Sequence, residues 1–341
     1  MSALSTRTVL HKRISNFVDW IKPDPKKRQD IKKRSETVKD SIKSKAEEKG
    51  FVVTSTPYGG SFSSKCGLKR HYRGDAEVDG LDVDLAFVVN DKESEEVNLN
   101  YLLDEFYKIV DDCYPKTKKE KTKSSIKLMF DDNVNFDIVP LLTGESNDEQ
   151  ILVRSNGDHI NTSIKKHVEF VRSRIQSSND ESGRVKFNEC LRLLKWWRDN
   201  NASSSYTLGG DNAPPSFLMN LLAAKAYDQL SVQKTYAETL AQWFGYLAHL
   251  VRHKEPILFT DYNKPKAESF IWTVMDPVNL NNNIVQNWSD MKRNELADWL
   301  EKSRDDWSRV VRFDHEGEDN KSLDQLVSIF GNSFKNHCDN N

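Results

Sequence analysis

The stretch Leu81-Asp82-Val83-Asp84-Leu85-Ala86-Phe87-Val88-Val89 constrains the fold of this chain more than any other. It alternates apolar and acidic residues at its start and is continuously apolar at its end, the pattern of a strand whose far half is covered on both faces. Successive side chains of a strand point to opposite faces, so Asp82 and Asp84 leave from one face while Leu81, Val83 and Leu85 cover the other. Two like charges this close repel unless a cation sits between them, and an oxygen-only pair suits Mg²⁺ or Mn²⁺. A solvated strand face would carry the same two residues, so the surrounding sequence has to decide between the readings.

Two further features bear on that choice. Asp137 stands in the apolar run Phe136-Asp137-Ile138-Val139, where an acid is costly unless it has a partner. A salt-bridged edge residue would satisfy that requirement, and so would a third carboxylate of a two-metal clamp. Gly59-Gly60-Ser61 follows the short β-type run Phe51-Val52-Val53. Missing side chains there let backbone N–H groups approach phosphate oxygens, although an ordinary turn has the same composition.

The rest of the chain supplies the frame. The first forty-nine residues read as helix interrupted at Pro23 and Pro25, the second piece being one long helix with Ile31, Val38 and Ile42 along a narrow stripe. A helix is expected around 97–113. A β-hairpin follows, formed by Ser125 to Phe130, the turn Asp131-Asp132-Asn133 and Val134 to Val139, and stopped by Pro140. From about residue 160 the periodicity is helical, with segments near 162–177, 184–200, 214–230 and 235–252, a strand-like piece near 269–274 and a frayed end at 337–341. The expected class is α+β: a mixed-sheet lobe with a long N-terminal helix over 1–160, packed on a helical lobe over 161–341.

Composition narrows the partners. Fifty Lys and Arg against 52 Asp and Glu leave a formal charge of -2, so no overall field draws the molecule onto nucleic acid or an anionic membrane. Cys66, Cys113, Cys190 and Cys338 are scattered without zinc-binding spacing. No run approaches the ~18 apolar residues of a membrane span. A soluble protein of a reducing cytoplasm is expected.

Taken together, Gly60-Ser61, Leu81-Asp82-Val83-Asp84-Leu85 and a third strand acid at Asp137 resemble the signature of the polymerase-β-type nucleotidyltransferases. Twenty residues separate Ser61 from Asp82, so Lys65 to Gly80 would be an inserted loop, and a rival register using Glu77 and Asp79 stands beside the preferred one. Leu191-Arg192-Leu193-Leu194-Lys195-Trp196-Trp197, Pro215 to Leu222 and Asp276 to Asn283 resemble segments of one branch. That branch is the oligoadenylate synthase and cyclic GMP-AMP synthase superfamily, with its bacterial members, the CD-NTases.

The resemblance implies a spine helix at the N-terminus and two Mg²⁺ or Mn²⁺ ions held by Asp82, Asp84 and Asp137. Gly60 and Ser61 would meet the donor triphosphate, Lys195 and Ser216 would steady phosphates, and Phe217 would stack on a base. Lys195 could equally cap a polar helix face, Ser216 an N-terminus, and Phe217 fill core. The implied substrates are ATP, GTP or pyrimidine NTPs. The implied product is a cyclic di- or trinucleotide in anti-phage signalling, with a regulatory protein or a product-responsive effector as partner. Addition of nucleotides to an RNA end or a protein hydroxyl, and silent nucleotide binding, are the rival functions. With no Cys/His cluster and no basic face, the likeness does not extend to activation by long DNA. The basic run Lys116, Lys118, Lys119, Lys121 and Lys123, and Lys69, Arg70, His71 and Arg73, read either as solvated surface or as contacts for anions.

Overall fold

In a computed structural model, residues 9–73, 76–79, 81–90, 101–132, 134–146, 148–180, 185–266 and 271–339 are described. The chain divides into two compact units. One comprises residues 23–69 and 79–170; the other comprises 1–22, 70–78 and 171–341. The sequence-based boundary at 160/161 lies close to the break at 170/171. The first helix and residues 70–78, however, group with the helical unit, because membership follows three-dimensional contact rather than chain order.

The sheet unit begins with helix α2 (Pro25–Glu48). Asp24 caps it by accepting hydrogen bonds from the N–H groups of Lys26 (2.7 Å) and Lys27 (3.1 Å), and Pro25 occupies the first turn, where its missing donor costs nothing. Ile31, Ser35, Val38, Lys39, Ile42 and Ala46 form its buried stripe. There follow β1 (Val53–Ser55) and a single helical turn, α3 (Gly60–Ser63). Beyond them lie β4 (Leu81–Val89), α4 (Leu102–Cys113), β5 (Lys118–Lys121), β6 (Ile126–Met129), β7 (Val134–Thr143), β8 (Gln150–Val153) and β9 (His159–Thr162). The helix expected at 97–113 begins at Leu102, and residues 91–100 lie outside the described set.

Strand order is β1-β4-β7-β6-β5, with β8 also on β7 and β9 on β8. The β4–β7 pair is parallel and the others are antiparallel, which makes the sheet mixed as expected. Val83, Leu85, Phe87 and Val89 of β4 face a core shared with Phe106, Ile109, Phe136 and Ile138. Burying each such side chain contributes about 1.5–3 kcal/mol. Pro140 does not end β7, which runs on to Thr143. β6 pairs as far as Ile138 and β8 starts at Leu141, so Pro140 falls between two partners on that flank, where no ladder donor is required.

The second unit holds α1 (Val9–Ile21), a two-stranded ribbon of β2 (Arg70–Arg73) and β3 (Ala76–Asp79), and the last residues of α5 (Ile164–Asp180). Then come α6 (Phe187–Ala202), α7 (Ser216–Leu230), α8 (Tyr236–Arg252), α9 (Asp290–Glu316), α10 (Asp319–Phe330) and α11 (Asn332–His337). The segment expected as a loop between Lys65 and Gly80 therefore contains strands. Around 269–274 there is no regular strand among the described residues, only single bridges from Ile257 to Val274 and from Met275 to Asn283. The end is not frayed at 337–339: Cys338 is fully buried and Asp339 pairs with Arg13 at 2.7 Å. No helix among the described residues is long and apolar enough to cross a membrane, and the four cysteines are free.

Candidate active site

Parallel pairing of β4 with β7 sets Asp84 directly beside Asp137, and Asp82 beside Asn135. Partners in a ladder point to the same side, so the three aspartates share one face of the sheet. Further along that face Ala86, Val88 and Leu141 are buried with Val139 and Ile164 packed against them, leaving the acids at the start of an otherwise apolar surface. The rival pair Glu77 and Asp79 lies on β3, which belongs to the separate ribbon and does not pair with β7. The register through Asp82 and Asp84 is the one that meets a third acid.

The glycine turn is stitched to the same strand. Ala86 donates its N–H to the Pro57 carbonyl (3.0 Å), Tyr58 bridges to Leu85, and Gly59 donates to the Asp84 carbonyl (2.9 Å). Gly60 has φ +53°, and a Cβ there would lie 1.8 Å from Asp84 Oδ2. Only glycine fits so close to that carboxylate in that backbone conformation. Ser61, half-buried, follows in α3.

Electrostatics at the site are unbalanced. Burial pushes the Asp137 carboxyl up to about 7; the Asp84 and Asp82 carboxylates add to the rise and Lys127 opposes it. Lys127, on β6, pairs in register with Asp137 and holds its Nζ 3.5 Å from Asp82 Oδ1. Asn135, buried, donates its Nδ2 to the same oxygen at 3.0 Å. Asp82 Oδ2 takes no hydrogen bond from the described residues. Sequence reasoning missed Lys127 and Asn135. The alternation Ile126-Lys127-Leu128 does mark Lys127 as facing away from the core, but the strand register that places it among the acids is a long-range property.

Hard oxygen donors, one uncommitted carboxylate oxygen and an excess of negative charge suit a divalent cation of the Mg²⁺ or Mn²⁺ kind. Among the described residues no three His, Cys, Asp or Glu side chains are already drawn together as a metal cage. The backbone thus brings the acids onto one face, while one oxygen of Asp82 remains engaged with Asn135 and Lys127.

Lys195, Ser216 and Phe217 belong to the other unit. Lys195 is buried on α6, Ser216 is the exposed first residue of α7, and Phe217 is half-buried beside it. Pro215, not Ser216, is the N-cap, so the capping explanation for that serine does not hold. Two of the five lysines of the basic run are occupied with the fold. Lys119 Nζ bonds the Tyr114 and Thr117 carbonyls and Asp111, and Lys121 pairs with Asp104.

Residues 9–174 match the Second Messenger Oligonucleotide or Dinucleotide Synthetase (SMODS) domain. The CBASS oligonucleotide cyclase CdnC of Escherichia coli is 24% identical over 284 residues, which span 81% of each chain. Solved structures of E. coli CdnC align over nearly the full length. The complex with HORMA-deltaN gives a TM-score of 0.77 at 21% identity, covering 97% of this chain and 99% of that one. The structure with ATP gives 0.76 at 21%, covering 95% and 98%. The CD-NTase CdnG of Bradyrhizobium diazoefficiens in complex with GTP gives 0.70 at 15%, covering 97% and 96%. The SMODS domain match, the CdnC relative and this shared fold together support a bacterial CD-NTase, a nucleotidyltransferase.

Proposed function

We propose that this protein joins nucleoside triphosphates into a cyclic di- or trinucleotide, with Asp82, Asp84 and Asp137 as the catalytic acids. The observation that carries the reading is the juxtaposition of Asp84, Asp137 and Gly60: two carboxylates in one register, with a glycine turn pressed onto the first. Asp82 and Asp84 would hold the ion that accompanies the donor triphosphate, and Asp137 would join them around a second. Such ions supply charge neutralisation at the phosphates and lower the pKa of an attacking ribose hydroxyl.

The chain's own residues position and shield. Gly60, lacking a side chain, lets the turn lie directly against Asp84, and the Ser61 hydroxyl would donate to the triphosphate. Asn135 and Lys127 fix one oxygen of Asp82 so that the other faces outward. In the second unit Lys195 and Ser216 would contact phosphates, and Phe217 would stack on a base. Catalysis is then chiefly orientation and electrostatic stabilisation of the phosphoryl charge, with pyrophosphate as leaving group. Relatives were solved with ATP, with GTP and with HORMA-deltaN. Purine triphosphates as substrates, a protein regulator, a cytoplasmic location and a role in anti-phage signalling belong to the same proposal.

The test is incubation with all four NTPs and Mg²⁺ or Mn²⁺, followed by mass spectrometry and phosphatase digestion of the small products. Phosphatase-resistant cyclic products from the native protein, lost in the Asp82→Asn, Asp84→Asn double variant, are expected. Linear tails on added RNA, or full activity of the double variant, would overturn the proposal.

A further inference from the structure

The phosphate-side turn is held from behind by α2, through a set of contacts centred on Tyr58. Its backbone bridges to Leu85, one residue beyond Asp84, and Gly59 follows it directly. Its hydroxyl donates to Glu36 Oε1 at 2.7 Å and is hydrogen-bonded to Ser35 Oγ, a side chain with no exposure. Lys39, 5% exposed, places its Nζ 3.3 Å from the centre of the Tyr58 ring and 3.8 Å from Glu36.

A second anchor lies on the other side of the turn. Arg28 donates to the Phe62 carbonyl at 2.5 Å and stacks over the Phe62 ring at 4.9 Å, while the Tyr58 and Phe62 rings lie 5.5 Å apart. Gly59, Gly60 and Ser61 are thus the three residues between two side chains bolted to one helix.

A buried lysine is an expensive way to fill a helix face. Desolvation disfavours its charge, and Lys39 is accordingly lowered from its ordinary value. The ammonium is compensated by an aromatic face and one half-exposed glutamate, an arrangement that fixes the tyrosine's orientation as well as its depth. Burial pushes the Tyr58 hydroxyl up to about 12, so it stays a donor across the working range. Packing alone would be served by leucine and phenylalanine at these two positions.

We propose that Tyr58, clamped by Ser35, Glu36 and Lys39 of α2, is a positioning residue that sets the distance between the Gly60-Ser61 turn and the carboxylate of Asp84. The inference rests on the nucleotidyl-transfer reading and assigns to α2 a role in holding the donor triphosphate. A turn free to shift by even about 1 Å loses the alignment of phosphate with acid, at a cost that reaches a hundredfold in catalytic efficiency. Removing the hydroxyl while keeping the ring separates this role from core filling.

The experiment compares native protein with Tyr58→Phe, Tyr58→Ala and Lys39→Met in steady-state turnover, in binding of a non-hydrolysable ATP analogue with Mg²⁺, and in thermal unfolding. For Tyr58→Phe the expectation is a rise of about tenfold in KM for NTP, a smaller fall in kcat and an unfolding midpoint close to native. Lys39→Met should shift KM in the same direction, and Tyr58→Ala should exceed both. Variants with native KM and analogue affinity, whatever their unfolding temperature, overturn the inference and leave the reaction untouched. If native protein binds the analogue without turnover, the reaction assignment fails and the affinity ratio of Tyr58→Phe to native still decides the role of Tyr58. A native protein that binds no NTP overturns both.

Discussion

Asp137 on β7 and Asp276 in the loop before α9 are both acids enclosed by protein, and their surroundings differ in kind. Asp276, 3% exposed, is saturated by its own turn: Oδ1 accepts from the N–H groups of Val278 (2.8 Å) and Asn279 (3.3 Å), and Oδ2 from Asn282 Nδ2 (3.0 Å). Asn283 extends the same network, its side chain bonding Val274, Val285 and Trp272 through their backbone atoms. The Asp137 carboxyl takes no hydrogen bond from the described residues and is pushed up to about 7 by burial and by two neighbouring carboxylates. An acid whose lone pairs are filled locally is part of the architecture. One that lacks donors and faces like charges holds an interaction in reserve for something not yet bound.

The contrast can be broken by exchanging the expected phenotypes. Asp84→Asn should lower NTP turnover by a thousandfold or more, on the order of 4 kcal/mol at the transition state, because a phosphoryl-transfer site works through charge placement. Urea unfolding of the same variant, followed by tryptophan fluorescence, should be unchanged or shifted to higher denaturant. Asp276→Ala should do the reverse. It strands two backbone N–H groups and an amide, and should cost about 2–3 kcal/mol of stability while the folded fraction keeps its kcat. A destabilised Asp84→Asn or a kcat-deficient Asp276→Ala would show that satisfaction of lone pairs does not separate site from scaffold in this chain.

The same distinction explains what the sequence could reveal. Period-two alternation in Leu81 to Leu85 places Asp82 and Asp84 on one face without any knowledge of neighbours, and Asp137 stands out as an acid in an apolar run. Both are local signals, and both signals agree with the structure. Lys127, Asn135 and the Tyr58 clamp were not legible, since each depends on which strand or helix lies alongside. A lysine between Ile126 and Leu128 reads as an ordinary outward-facing residue until register sets it opposite Asp137. The membership of α1 in the helical unit is hidden for the same reason. Phe17 is enclosed by Trp196, Phe330 and Phe334, residues more than 170 positions away. Pro140 misled because a proline in a strand is judged by its own missing donor, whereas the gap between β6 and β8 decides whether that donor is needed.

The smallest of these effects sharpens the comparison most, because it has a sign that a structural acid could not produce. An ordinary aspartate has a pKa of 3.8, and Asp137 in the folded protein is raised to about 7. Between those values the native state binds more protons than the unfolded chain, so this group's contribution falls as pH rises from about 4 to about 7 and stays unfavourable above. Asp137→Asn removes the penalty. In EDTA at pH 8 the variant should be more stable than native protein by about 1–2 kcal/mol, less than a full conversion of the shift because the group is partly solvated. Towards pH 4 the difference should shrink. Millimolar Mg²⁺ or Mn²⁺ at pH 8 should narrow the gap from the other side, by stabilising native protein more than the variant, which keeps Asp82 and Asp84. Asp276→Asn should instead cost stability in the same buffer, since it disturbs a carboxylate that accepts three hydrogen bonds from its own turn. An Asp137→Asn protein less stable than native at pH 8 would place Asp137 with Asp276 among the scaffold residues and remove the third acid from the site.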